Sequence, residues 1–77
     1  MQLTFGEECW VEIQDQVHGM VYQDLHRDGD ILSVNLTAPI RLLLGKATAV
    51  EMLYNGRPFD LEPFTSQDQT AKLTISE

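Results

Sequence analysis

Apolar residues recur along this chain in short runs at every second position, and no window sustains a helical stripe for three turns. Cys9, Val11 and Ile13 point one way while Trp10, Glu12 and Gln14 point the other. Leu32, Val34 and Leu36 alternate with Ser33 and Asn35; Ile40, Leu42 and Leu44 alternate with Arg41 and Leu43. Leu43 is thus an extra apolar residue on the second face. Val50, Met52 and Tyr54 alternate with Glu51, Leu53 and Asn55. The pattern predicts strands over Leu3–Phe5, Glu8–Asp15, Met20–Leu25, Ile31–Leu36, Ile40–Leu44, Val50–Tyr54, Pro58–Leu61 and Thr70–Ile75, with Gly45–Ala49 either a helical turn or a loop.

Turn residues separate these runs: His18-Gly19, Asp28-Gly29, Ala38-Pro39, Gly45, Asn55-Gly56 and Glu62-Pro63. Asn55-Gly56 is the sharpest, because both residues tolerate the positive φ of a type I′ hairpin. Val17-His18-Gly19 reads as a second tight connection. Pro58 lacks a ladder donor, which assigns the strand after Asn55-Gly56 to an edge. One-sided strands of this kind are covered by a small antiparallel β-sandwich or flattened barrel of about seven short strands. Their order is left open.

The pairing of the second and third strands is a question of cost. With Asp15 opposite Val21, Ile13 faces Gln23, Val11 faces Leu25, and Asp24 lies outside beside Glu12. A shift by one residue sets Asp24 against Val11, which implies a buried, unpaired carboxylate. The first register is the expected one, and it places Trp10 beside Tyr22 on the outer face.

At 77 residues the chain is one domain, 1–77, near the size at which a single core suffices. Twelve acidic residues against five basic ones give a formal charge of −7, the wrong sign for nucleic acid or unaided anionic lipid. The single cysteine, Cys9, has no partner for a disulfide or metal cluster and reads as a small buried hydrophobe. No stretch approaches a membrane span, and no signal peptide opens the chain.

Candidate chemistry is sparse. Glu7 and Glu8 diverge if extended, and Asp28 and Asp30 flank Gly29 in a turn. Asp24, Asp28 and Asp30 do not match a calcium loop. His18 and His26 lack ligand spacing, and Ser33, Ser66 and Ser76 lack a nucleophile elbow. Asn35-Leu36-Thr37 fits a glycosylation triplet, a pattern that is common by chance. The expectation is no enzyme, no cofactor and no metal. Binding candidates are Trp10, Glu12 and Tyr22 on an outer face, and Pro58 and Phe59 on the edge strand; aromatic residues dominate interaction energetics.

Cys9-Trp10-Val11-Glu12-Ile13, Leu44-Gly45-Lys46-Ala47 with Val50-Glu51, and Tyr54-Asn55-Gly56-Arg57-Pro58 leading to Asp60-Leu61 occur in an order that resembles the C-terminal extracytoplasmic domain of the RodZ family of bacterial cell-shape proteins. The match runs from Leu3 to Ile75, with Gln16-Val17-His18 more apolar than such domains carry in that loop. The resemblance implies a domain excised from a longer membrane-anchored protein with a cytoplasmic helix-turn-helix domain, one membrane span and a linker. It further implies a periplasmic location and a non-enzymatic interaction role, coupling the actin-like cytoskeleton to cell-wall synthesis and rod shape. The implied partners are proteins of the cell-elongation machinery, with membrane contact only through the parent's span. A carbohydrate-binding module that stacks peptidoglycan on Trp10 is the alternative. No functional residues are carried over from the family.

Overall fold

The computed structural model describes residues 1–15, 19–36 and 39–76. Among the described residues there are eight strands, one in each of the eight predicted runs and one more than the round figure of about seven given for the sandwich: β1 (Gln2–Phe5), β2 (Cys9–Asp15), β3 (Gly19–His26), β4 (Ile31–Ser33), β5 (Ile40–Leu44), β6 (Val50–Tyr54), β7 (Arg57–Phe59) and β8 (Ala71–Ile75). They form two four-stranded antiparallel sheets, ordered β4-β1-β6-β7 and β3-β2-β5-β8, and the sandwich is the expected fold class. Single 3₁₀ turns occupy Ala47–Ala49 and Glu62–Phe64, the first where a helical turn or a loop was left open. Val17-His18, Ala38 and Thr37 of the glycosylation triplet lie outside the described residues.

The core follows directly from the alternation. Leu3 and Phe5 of β1, Cys9, Val11 and Ile13 of β2, Ile40, Leu42 and Leu44 of β5, Met52 of β6 and Ala71, Leu73 and Ile75 of β8 are all buried between the sheets. Cys9 is among them, so its thiol acts as a small apolar filler. Burial pushes the thiol pKa up, opposed by the Lys46 and Gly45 backbone N–H groups.

The Asn55-Gly56 hairpin joins β6 to β7 with φ of 54° and 78°, as a type I′ turn requires. No atom stands within 4 Å of a Cβ built at Gly56, so the glycine is needed for its backbone alone. Replacing Gly56 by alanine should therefore cost about 1–2 kcal/mol, read as a lower urea midpoint with an unchanged slope. A loss well beyond that range would mean the side chain meets something. Pro58 lies in β7, at the sheet edge as expected.

The β2–β3 register corrects the sequence reading. Val11 faces Asp24, Glu12 faces Gln23 and Ile13 faces Tyr22, while Asp15 faces Gly19 and Gln14 faces Met20. The ladder shifts between Ile13 and Gln14, which leaves Val21 as the extra residue on β3. The penalty argued against placing Asp24 opposite Val11 assumed that the inner row is buried out to the rim. Because β3 is an edge strand, Asp24 stays exposed there and accepts a hydrogen bond from the Leu25 N–H at 2.8 Å.

Candidate functional site

On the outer face of the β3-β2-β5-β8 sheet the registers order the residues into rows. Leu25 pairs with Trp10; Gln23 pairs with Glu12, which pairs with Leu43 and through it with Lys72; Gln14 pairs with Arg41 and then Thr74. Trp10 is 41% exposed and Leu25 43%, large apolar surfaces side by side where water reaches both.

Trp10 is held in a defined pose. Its indole N–H donates to Glu12 Oε2 at 2.8 Å, and the Gln23 amide donates to Glu12 Oε1 at 3.3 Å. Glu12 thus ties two strands together across the face. On the other side Gly45 donates its N–H to the Trp10 carbonyl at 2.8 Å, and a Cβ at Gly45 would come within 3.2 Å of the Trp10 Cβ. The absence of a side chain there leaves room for Trp10. A shallow depression of about 200 Å³ adjoins this area, lined by Glu12, Gln14, Arg41, Leu42, Leu43 and Lys72. The face therefore combines an aromatic and aliphatic centre with a carboxylate and two cations, a surface suited to contact.

Tyr22 is not part of it, which corrects the sequence reading that set it beside Trp10. With Ile13 opposite, Tyr22 projects to the inner side of β3, where its hydroxyl lies 2.6 Å from His26 Nε2. His26 Nδ1 is 3.3 Å from Asp30 Oδ2, and the imidazole stacks on Phe5 with centroids 4.5 Å apart. The Asp30 carboxylate can only accept, so a neutral imidazole that donates to it from Nδ1 has Nε2 as an acceptor for the phenol. The chain of contacts looks like a relay, yet its chemistry runs against nucleophilic use. Burial, reinforced by Asp24 and Asp30, pushes the Tyr22 pKa up, the reverse of activation. The group instead clips the β3–β4 turn onto β1.

Asp30 completes that clip by accepting the Arg27 backbone N–H at 2.9 Å. This bond, followed by the His26 contact, holds its carboxyl below the ordinary value. A depressed carboxyl pKa stabilises the fold in full above the unfolded value, about 4, and that contribution disappears as pH falls through the lower folded value. Urea midpoints measured from about pH 6 down to about pH 2 should fall less steeply for Asp30→Asn than for the parent; equal slopes would show that the turn does not depend on the charge.

Pro58 and Phe59 lie on the other sheet. Pro58 is exposed opposite Leu53, and half-buried Phe59 points inward opposite Met52 and stacks on Phe64 at 6.0 Å. The structure thus brings Trp10 and Glu12 together and separates both from Tyr22, Pro58 and Phe59. Sequence reasoning missed Leu25 beside Trp10 and Gln23 beside Glu12, because the expected register set both on the inner face opposite Val11 and Ile13; Arg41 opposite Gln14 and Lys72 opposite Leu43 were missed because cross-strand partners are not written locally. Among the described residues, no group of three or more His, Cys, Asp or Glu is placed to hold a metal ion.

A family model described as the RodZ C-terminal domain matches residues 2–74. No solved structure matches the chain.

Proposed function

As the chain belongs to the RodZ C-terminal domain family, with a RodZ-related role in cell shape, we propose that it is a non-enzymatic interaction domain. In this reading it sits on the extracytoplasmic side of the cytoplasmic membrane. It is carried there by an anchored parent that links the actin-like cytoskeleton to wall synthesis, and its partners are proteins of the elongation machinery. The observation that carries the contact surface is the exposed Trp10–Leu25 pair, side by side on the outer face of its sheet. Charge supports the same choice. The domain is strongly acidic overall, yet two of its five basic residues, Arg41 and Lys72, flank this face beside Leu43. A partner approaching there meets less repulsion than elsewhere.

A glycan-binding reading has one observation in its favour. Trp10 lies beside Glu12 and Gln23, an aromatic plane next to polar groups of the type that orient sugar hydroxyls. The same hydrogen bonds count against it, because the indole N–H and one carboxylate oxygen already satisfy each other.

Trp10 is the only tryptophan in the chain, so its fluorescence reports on this face directly. Titration with the soluble extracytoplasmic parts of elongation proteins should shift the emission and protect it from acrylamide. Muropeptides should leave both unchanged. A saturable response to muropeptides alone transfers the face to glycan, and silence toward every protein overturns the interaction reading of it.

A further inference from the structure

The geometry points to a second docking groove, on the other sheet, for a short cationic-apolar segment of a partner protein. The β6–β7 ladder ends at Met52–Phe59, where the chain leaves the sheet for the 3₁₀ turn at Glu62–Phe64. Among the described residues, Val50 and Glu51 therefore have β1 on one side and no paired strand on the other. A groove of about 620 Å³ opens at this gap. Its apolar lining includes Val50, Met52 and Leu61, and exposed Leu53 and Pro58 extend the apolar surface along the edge strand.

The charge around the groove decides what it can take. Glu51, Asp60 and Glu62 line it, and no Lys, Arg or His does. The Asp60 side chain accepts the Glu62 N–H at 3.0 Å, which keeps the two acids on one rim. An apolar floor with a wholly acidic rim repels acidic peptides and second copies of this acidic domain. It favours an extended segment that sets aliphatic side chains on exposed Leu53 and Pro58 and half-buried Phe59, above the buried Val50, Met52 and Leu61, and lets Lys or Arg reach the rim. The gap in the ladder leaves width for such a segment, and edge pairing is an established mode of peptide capture. Pro58 keeps this edge from unrestrained pairing, since it has no N–H to offer.

This groove lies on the opposite sheet from the Trp10 face, so either surface can fail without the other. The test is titration of the ¹⁵N-labelled protein with a capped peptide of alternating lysine and leucine, about six residues long. Glutamate–leucine and lysine–glycine peptides of equal length serve as comparisons. Saturable shifts should concentrate at the Val50, Glu51, Asp60, Leu61 and Glu62 amides, with the Trp10 indole signal unmoved. The glutamate–leucine peptide should not bind, and the lysine–glycine peptide should bind more weakly. The double variant Glu51→Gln, Glu62→Gln should weaken binding by about tenfold. Both sites are exposed, so its thermal midpoint should match the parent and a folding defect can be recognised. Equal binding of the lysine–glycine peptide, or shifts spread equally over Glu7, Glu12 and Asp28, would reduce the effect to general charge attraction and overturn the proposal. So would concentration-dependent self-association that occupies the groove and resists the peptide.

Discussion

Replacing Phe5 by alanine is expected to lower stability by about 3–5 kcal/mol, the range for deleting a large buried aromatic. Phe5 is 1% exposed and sits on β1 of one sheet, while His26, on which it stacks at 4.5 Å and 4°, belongs to β3 of the other. The ring is therefore one of the contacts that hold the two sheets together. Its removal opens a cavity and exposes one face of an imidazole already committed to Tyr22 and Asp30. Domains of this size have total stabilities of about 4–12 kcal/mol, so the variant should be largely unfolded near its growth temperature or retain a thin margin. Urea unfolding followed by far-UV circular dichroism reads the loss. Phe5→Leu, which keeps most of the volume, should lose much less. A loss below about 1 kcal/mol for Phe5→Ala would mean that the sheets close over the gap and that the stack contributes little.

The second large effect belongs to binding. Trp10→Ala should weaken the protein partner of the outer face by about thirtyfold or more, as aromatic anchors at interface centres do. Stability should change by a small part of the Phe5→Ala loss, because Trp10 is 41% exposed and the alanine keeps the Cβ that packs at Gly45. Leu25→Ala should weaken the same partner less, and Glu12→Gln should act through the pose of the indole. Calorimetric titration and urea unfolding on the same preparations separate the two readouts. If Trp10→Ala destabilises the domain as severely as Phe5→Ala while binding stays intact, Trp10 is a packing residue and the face is not the contact.

The comparison of these two residues shows what was legible in the chain. Alternation sets Trp10 on the face opposite Cys9, Val11 and Ile13, since a strand turns successive side chains to opposite faces whatever its partner is, while its exposure, like the burial of Phe5, is decided by what packs on each face. The Asn55-Gly56 hairpin was equally legible, because positive φ is a property of those two residues. The edge position of β7 followed from Pro58 and its missing donor. Tyr22 was misplaced for a different reason. Its face depends on which β2 residue it meets, and the extra residue at Val21 shifts that match by one. Backbone ladders carry no residue identity, so a bulge leaves no reliable local mark.

By itself the sequence determined the all-β class, most strand positions, the inward and outward sets on most strands, and the family through its ordered motifs. These depend on local geometry and on residue types in fixed order. Only the tertiary structure decided that β1 lies between β4 and β6, that Leu25 comes beside Trp10 and that Lys72 comes beside Leu43. It alone brought Phe5 onto His26, and it alone left Val50 and Glu51 of β6 without a β7 partner beside an acidic rim. Each of those outcomes joins residues far apart in the chain, and what selects them is the shared burial of both sheets rather than any segment's own preference.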